Sequence, residues 1–422
     1  MSDNDVAQER SAGADMAGAF ESSGGHGPTP PSQITGHYSA DNPDMVQFVD
    51  ADGNRLGITP ANEPYSQIVE DMTSEDARTI YRDLVLVRRI DAEGHALQRQ
   101  GELGLWPSLL GQEAAQVGAG RALRPQDYAF PGYREHGVAW CRGVPPENLF
   151  GMYRGVNNGG WDSNANNFHL YTIVIGNQML HGTGYAMGVK ADGAVGTGDP
   201  DRDTAVMAFT GDGGTAQGDY NEALVFASVT AAPIVFFIQN NQWAISEPNE
   251  KQFTIPPYQR SRGFGIPGVL VDGNDPLATY AVCKAALDRA RAGEGPTLIE
   301  AYTYRMGAHT TSDDPTKYRS AAEVEIWREK DPIKRMRGFM EEKGHADADF
   351  FAAVDAEADE VAARIRTACQ EMPDPDPLAM FDHIYVEDHP GLAREREEFF
   401  EYQAGFADAG VDAGAAGQGV AR

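Results

Sequence analysis

The residues with the most chemistry in this sequence are Gly211-Asp212-Gly213-Gly214 and Asn240-Asn241. Residues 214–239 lie between Gly213 and Asn240, and each group follows an apolar run of strand character, TAVMAFT (204–210) and PIVFFIQ (233–239). If these runs are adjacent strands of one strand–helix–strand unit, both groups lie just past the strands' C-terminal ends. That is the crevice where open α/β sheets bind ligands. Glycines there let backbone N–H groups approach a phosphate near a helix N-terminus. The Asp212 carboxylate and the Asn241 amide oxygen can then converge on a hard cation. Mg²⁺ takes oxygen ligands in octahedral geometry and usually bridges phosphates. The local chemistry is therefore that of a magnesium–diphosphate clamp. GDGG alone reads better as a tight turn, and the joint spacing reverses that. A dinucleotide site does not fit, because GDGGTA lacks the third glycine position and no acidic residue closes the next strand.

The elements that must position these groups are legible as a βα alternation from Thr204 onward. A helix with Tyr220, Ala223, Leu224 and Ala227 on one face follows GDGG; VLV (269–271), a helix near 276–292 and TLIEAYTYR (297–305) continue the series. Such units imply a mostly parallel sheet with both faces covered, an α/β fold. Upstream, Thr73 and Asp76 have capping-box spacing and Ile80, Leu84, Val87 and Ile90 form one apolar stripe, predicting a helix. Residues 101–183 are rich in Gly, Asn and aromatics and predict short elements with many turns, the kind of segment that carries sites. Two acidic amphipathic helices, about 321–343 and 347–371, are expected to close the body. Residues 1–40 read as a disordered Gly/Pro-rich acidic arm and 404–422 as a disordered small-residue tail, which leaves 41–403 as the body.

Gly-Asp-Gly followed about 26 residues on by Asn-Asn resembles the thiamine diphosphate motif of the transketolase-like superfamily. More narrowly, the chain resembles the alpha subunit of 2-oxo acid dehydrogenases, the decarboxylating first component of the pyruvate and branched-chain complexes. The resemblance runs from about Thr73 to Glu398. It is carried by GQEAAQVGAG (111–120), FPGYREHG (130–137), IGNQ (175–178), GDGGTAQGDYNEAL (211–224), QNNQWAIS (239–246) and GEGPTLIEAYTYRMGAHTTSDDPTKYRS (293–320).

The resemblance implies a role for each matching residue. Asp212 and Asn241 hold Mg²⁺ by side chain and Trp243 by its main-chain carbonyl. Tyr133, Arg134 and Arg305 grip the diphosphate, with Gly211, Gly213 and Gly214 beside it, and backbone around Ile173 and Ile175 meets the aminopyrimidine ring. His309 is the catalytic-loop histidine. A pKa near 6.5 would let it donate or accept a proton at neutral pH. His169 divides evenly between a substrate-side and a structural role, and His136 is expected to brace the diphosphate loop. Thr310 and Ser320 match positions phosphorylated in some relatives.

The implied fold is transketolase-like. The implied reaction is thiamine diphosphate-dependent oxidative decarboxylation of a 2-oxo acid, pyruvate favoured, with acyl transfer to a lipoyl group. A branched-chain or acetoin dehydrogenase is the alternative within the family, and a nucleotide-binding oxidoreductase the alternative outside it. After Arg305 the sequence turns to helices, so the pyrimidine-side glutamate is expected from a beta subunit, in an α₂β₂ heterotetramer serving a lipoyl-bearing acyltransferase.

Composition agrees with that setting. The formal charge is −29, from 63 acidic and 34 basic residues of which only seven are lysine. So negative a surface repels phosphate backbones and argues against nucleic-acid binding. Acid-rich, lysine-poor surfaces suit high salt, where ions screen self-repulsion, and an acidic docking face fits as well. Cys141, Cys283 and Cys369 are scattered and form no CxxC pair. No apolar run reaches the ~18 residues of a membrane span, and the acidic N-terminus does not read as a secretory signal. A cytoplasmic location is expected.

Overall fold

The apolar runs assemble into one six-stranded sheet in which every neighbouring pair is parallel. The computed structural model describes Tyr38, residues 42–157 and residues 160–408. The strands are β1 (Met45–Val46), β2 (Tyr128–Phe130), β3 (Val206–Gly211), β4 (Ile234–Asn240), β7 (Gly268–Asp272) and β8 (Thr297–Tyr302), in the order β1-β7-β8-β4-β3-β2. A two-stranded hairpin, β5 (Trp243–Ala244) with β6 (Glu247–Pro248), stands at the exit of β4. The expected α/β architecture with a mostly parallel sheet is what the chain adopts.

Parallel strands need crossover helices on both faces, so central strands are buried twice over. All seven residues of β4 are buried accordingly. Val235 and Phe237 enter one core, while Ile234, Phe236 and Ile238 enter the other. The major helices are α1 (Ser74–Arg99), α2 (Glu113–Ala122), α3 (Asn177–Ala191), α4 (Gly218–Thr230), α5 (Pro276–Arg291), α6 (Ala321–Arg328), α7 (Pro332–Lys343), α8 (Ala348–Glu371) and α9 (Pro390–Asp408). Helix α4 joins β3 to β4, which are neighbours in register from Val206↔Ile234 to Gly211↔Gln239.

At α1 the predicted capping box forms, with Thr73 Oγ1 accepting from the Asp76 N–H and Asp76 accepting from the Thr73 N–H. Ile80, Leu84, Val87 and Ile90 are all buried. The helix expected over 321–343 is two helices. Asp331 caps α7 by accepting from the Ile333 and Lys334 N–H groups, and Pro332, which has no N–H to donate, starts the new helix rather than continuing the old. Residues 101–183 contain more helix than their composition suggests, including α2 and the start of α3. Helix α9 runs to Asp408, past residue 404 where the tail is expected to begin. The arm expected over 1–40 lies outside the described residues except for Tyr38, which is buried, stacks on Tyr302 and donates to Glu300 Oε1 at 2.6 Å. The rest of the expected tail also lies outside the described residues. Among the described residues no helix is long and apolar enough to cross a membrane.

Candidate active site

Strands β8, β4, β3 and β2 are consecutive neighbours and end on one edge of the sheet. The segments beyond them face a cavity of about 250 Å³, lined among others by Tyr133, Arg134, Glu135, Asp212, Gly213, Gly214, Asn241, Trp243, Arg305 and His309. Arg134 and His309, 175 positions apart in sequence, meet there because parallel strands deliver all their C-terminal ends to one place.

Gly213 and Gly214 form part of the lining where a side chain would not fit. A Cβ on Gly213 would lie 2.7 Å from the Ala244 Cβ, and one on Gly214 would lie 2.0 Å from Thr210 Oγ1. Backbone is thus presented bare to the cavity, as close approach by a phosphate group requires. Asp212 is buried, and its Oδ2 accepts from Gln252 Nε2 at 2.7 Å. Burial pushes its carboxyl up to about 6, against the opposing pull of Gln252, neighbouring backbone N–H groups and the Arg305 charge. Asn241 is buried beside it, with Oδ1 accepting from the Trp243 N–H at 3.2 Å.

Opposite these oxygens lie two guanidinium groups. Arg305 is fully buried and donates to the carbonyls of Trp243 (3.0 Å) and Ile245 (2.7 Å) and to the Tyr318 hydroxyl (2.9 Å). Ile245 has φ of 56°, a rare conformation for a β-branched residue, so the Arg305 bond helps to hold a strained turn. Arg134, also buried, donates to the Ser108 carbonyl and to the His309 carbonyl at 2.9 Å. Among the described residues neither arginine forms a salt bridge. Burial lowers the Arg305 pKa to about 10, and the Arg134 charge adds to the effect. The two guanidinium groups therefore meet the cavity without a direct carboxylate bond, a setting suited to an anion.

His309 differs from expectation in its protonation. Its Nδ1 faces Arg134 Nη2 at 3.2 Å and Arg305 Nη1 at 3.4 Å. Guanidinium groups only donate, so Nδ1 must accept and the ring proton sits on Nε2. Burial and the two positive charges lower its pKa to about 4. At neutral pH the residue is a neutral imidazole with an Nε2–H to offer, rather than a group half-titrated near 6.5. Asp313 fixes the loop by accepting from the His309 N–H at 2.9 Å and from the Tyr318 hydroxyl.

Of the residues read from the sequence, Tyr133, Arg134, Ile175, Gly211, Asp212, Gly213, Gly214, Asn241, Trp243, Arg305 and His309 all line the one cavity. Ile173 does not. Its side chain is exposed, and Thr172 and Ile175 line the wall instead. His169 stacks on Phe130 outside the lining. His136 is buried, stacked on Trp106, with Nε2 donating to the Pro107 carbonyl (3.0 Å) and Nδ1 accepting from the Tyr171 hydroxyl (2.7 Å), as a bracing role requires. Sequence reasoning missed Glu135, a buried carboxyl in the lining, with Gln178 and Gln239 beside it there, and Gln252, which donates to Asp212. Glu135 stands beside Arg134 in YREHG, and that adjacency was the available signal.

A model of the family described as "Dehydrogenase E1 component" matches residues 81–379. The chain belongs to the dehydrogenase E1 component family. This E1 chain is 44% identical over 354 residues to a Mycobacterium tuberculosis protein named 3-methyl-2-oxobutanoate dehydrogenase subunit alpha, covering 84% of the chain and 92% of the relative. It is 37% identical over 372 residues to Staphylococcus aureus proteins named pyruvate dehydrogenase E1 component subunit alpha, covering 85% of the chain and 93% of the relative. The family expected from the motifs is thus the family to which the E1 chain belongs.

Proposed function

We propose that Asp212, Asn241 and the Trp243 carbonyl hold Mg²⁺ against a diphosphate gripped by Tyr133, Arg134 and Arg305, at the decarboxylating site of a 2-oxo acid dehydrogenase. The chain is an E1 alpha subunit of that enzyme class, an oxidoreductase whose family uses thiamine diphosphate. One observation carries the clamp. Two buried arginines without a salt-bridge partner share one cavity with Asp212, Asn241 and bare glycine backbone, and Arg305 also donates to the Trp243 carbonyl. Oxygen donors suit a hard cation, and planar donor forks suit diphosphate oxygens. Unpaired buried atoms at Gln178 Oε1, Gln239 Oε1 and Arg305 Nε mark the same cavity as polar and under-satisfied.

Thiamine diphosphate, when bound, supplies the electron sink for decarboxylation of a 2-oxo acid. The residues of this chain do the rest by position. Arg134 and Arg305 neutralise anionic charge and hold His309 Nδ1 as an acceptor, which leaves Nε2–H as a hydrogen-bond donor at the cavity wall. Gly213 and Gly214 admit the phosphates closely. Ile175 presents an apolar edge to the ring.

The partner is a beta subunit in an α₂β₂ heterotetramer of cytoplasmic location, acting with a lipoyl-bearing acyltransferase. Val174, Ile175, Tyr185, Val225, Phe226 and Val229 are exposed on α4, α3 and the segment entering α3. Apolar area of that kind calls for a covering chain. The sequence motifs favour pyruvate as substrate. The 44% identity to the mycobacterial relative favours a second reading, a branched-chain 2-oxo acid. Decarboxylation by the co-produced complex over a panel of 2-oxo acids decides between them, and full turnover by the chain alone would overturn the subunit assignment. Asp212→Ala is expected to abolish magnesium-dependent thiamine diphosphate binding, followed by calorimetry on the folded complex. Wild-type affinity in that variant would sink the clamp.

A further inference from the structure

Three amide side chains, Gln112, Gln239 and Asn241, meet at the exit of β4. Gln112 is fully buried, and its Oε1 accepts from Gln239 Nε2 at 2.8 Å and from Asn241 Nδ2 at 2.9 Å. The backbone that carries Gln112 is fixed to the strand exit that carries Arg305. Gly111 adopts φ of +93°, and its carbonyl accepts from Thr303 Oγ1 at 2.9 Å. The Leu110 carbonyl accepts from the Met306 N–H at 3.0 Å, and the Gln112 N–H donates to Leu109 at 2.9 Å. Next to it, Glu113 is bound by Arg88 at 2.8 Å.

An amide side chain can present either its oxygen or its NH₂ on a given side, and its neighbours decide which. With Gln112 Oε1 below it, Asn241 must turn Nδ2 down and Oδ1 up. Reversal of the same three amides would aim an NH₂ at the place a cation needs an oxygen. Among the described residues, Gln112 Nε2 and Gln239 Oε1 have no partner, so Gln112 is not placed to satisfy its own amide.

We infer that Gln112 is a positioning residue for metal binding, fixing Asn241 with its carbonyl oxygen toward the cation. This rests on the clamp proposed above. Groups that orient a metal ligand typically change metal affinity about 10–100-fold when removed. The Trp243 N–H also meets Asn241 Oδ1, and if that contact alone sufficed, Gln112 would be dispensable.

The test compares Gln112→Met, which keeps length but offers no acceptor there, with Gln112→Glu, which is an acceptor at both oxygens. Both are prepared as the full chain assembled with its beta partner. Mn²⁺ binding is followed by electron paramagnetic resonance in the presence of thiamine diphosphate, and thiamine diphosphate affinity is measured separately at saturating Mn²⁺. Gln112→Met is expected to weaken Mn²⁺ binding at least tenfold with thiamine diphosphate affinity at saturating metal within threefold of wild type. Gln112→Glu is expected to bind Mn²⁺ within threefold of wild type or more tightly. Either variant decides alone if the other fails to fold. Mn²⁺ affinity within threefold of wild type in Gln112→Met, a parallel loss of both affinities in it, or a tenfold loss of Mn²⁺ in Gln112→Glu overturns the positioning role. No Mn²⁺ binding by the wild-type complex would overturn the clamp itself, and this inference with it.

Discussion

Arg305→Met separates what the buried guanidinium costs from what it does. Without an anion, Arg305 is a charge held away from water. Its pKa falls from 12.5 to about 10, and at 1.36 kcal/mol per unit that is a penalty of about 3 kcal/mol. Methionine fills similar volume and removes the penalty. The substitution also strips the carbonyls of Trp243 and Ile245 of their donor, at about 1 kcal/mol each. The two effects nearly cancel, so the cofactor-free complex should unfold within about 1–2 kcal/mol of wild type. Binding moves the other way. A guanidinium about 4 Å from a diphosphate charge contributes about 4 kcal/mol at an effective dielectric constant near 20. Arg134 and entering water recover part of this, leaving a loss of about 3 kcal/mol, on the order of 100-fold in affinity. Thermal and denaturant unfolding of the cofactor-free complex, paired with calorimetry of thiamine diphosphate with Mg²⁺, read both halves. Destabilisation beyond about 4 kcal/mol without cofactor would make Arg305 a structural strut. Unchanged affinity would refute the anion-grip reasoning outright.

Three further outcomes are expected. His309→Ala should slow turnover about 100-fold, with thiamine diphosphate affinity much less affected, in a dye-coupled decarboxylation assay at saturating cofactor; a loss under threefold returns His309 to a loop-bracing role. Burial holds His136 neutral, with its pKa pushed down from 6.5 to about 3, so between those values the unfolded chain binds a proton that the folded chain does not. The stability this contributes is complete above pH 6.5 and is lost as pH falls toward 3, about 3 kcal/mol of it by pH 4; the stability difference between wild type and His136→Gln, from denaturant titrations at pH 7 and pH 4, should shrink by that amount, and a pH-independent difference contradicts it. With 63 acidic against 34 basic residues, the unfolding midpoint should rise as salt shortens the Debye length from ~30 Å at 0.01 M to ~3 Å at 1 M; a flat response points to a localised acidic docking face.

The strands, and the residues that end at their edge, were legible because their signals are local. A run such as PIVFFIQ can only be a twice-buried strand in a sheet of this kind, and Gly211–Gly214 and Asn241 each sit directly past such a run. The cap at Thr73 was legible for the same reason, since both partners lie within four residues. The break before α7 was equally local, carried by Asp331 and Pro332, and was passed over because the apolar periodicity continues on both sides of it. That Thr172 and Ile175 line the cavity and Ile173 does not was not legible, because in an irregular segment no spacing rule says which residues face inward.

The sequence by itself determined the family, the sheet and the residues that end at its edge, because side-chain type and spacing fix which backbone segments are strands and which residues lie just past their ends. The tertiary structure alone decided how those residues behave. His309 is neutral with its proton on Nε2 because Arg134, 175 positions away, stands 3.2 Å from its Nδ1. Asn241 turns its NH₂ to Gln112, 129 positions away, and its oxygen to the Trp243 N–H. Protonation and amide orientation are set by charge, burial and partners within a few ångströms, and the fold brings those partners from parts of the chain that no spacing rule connects.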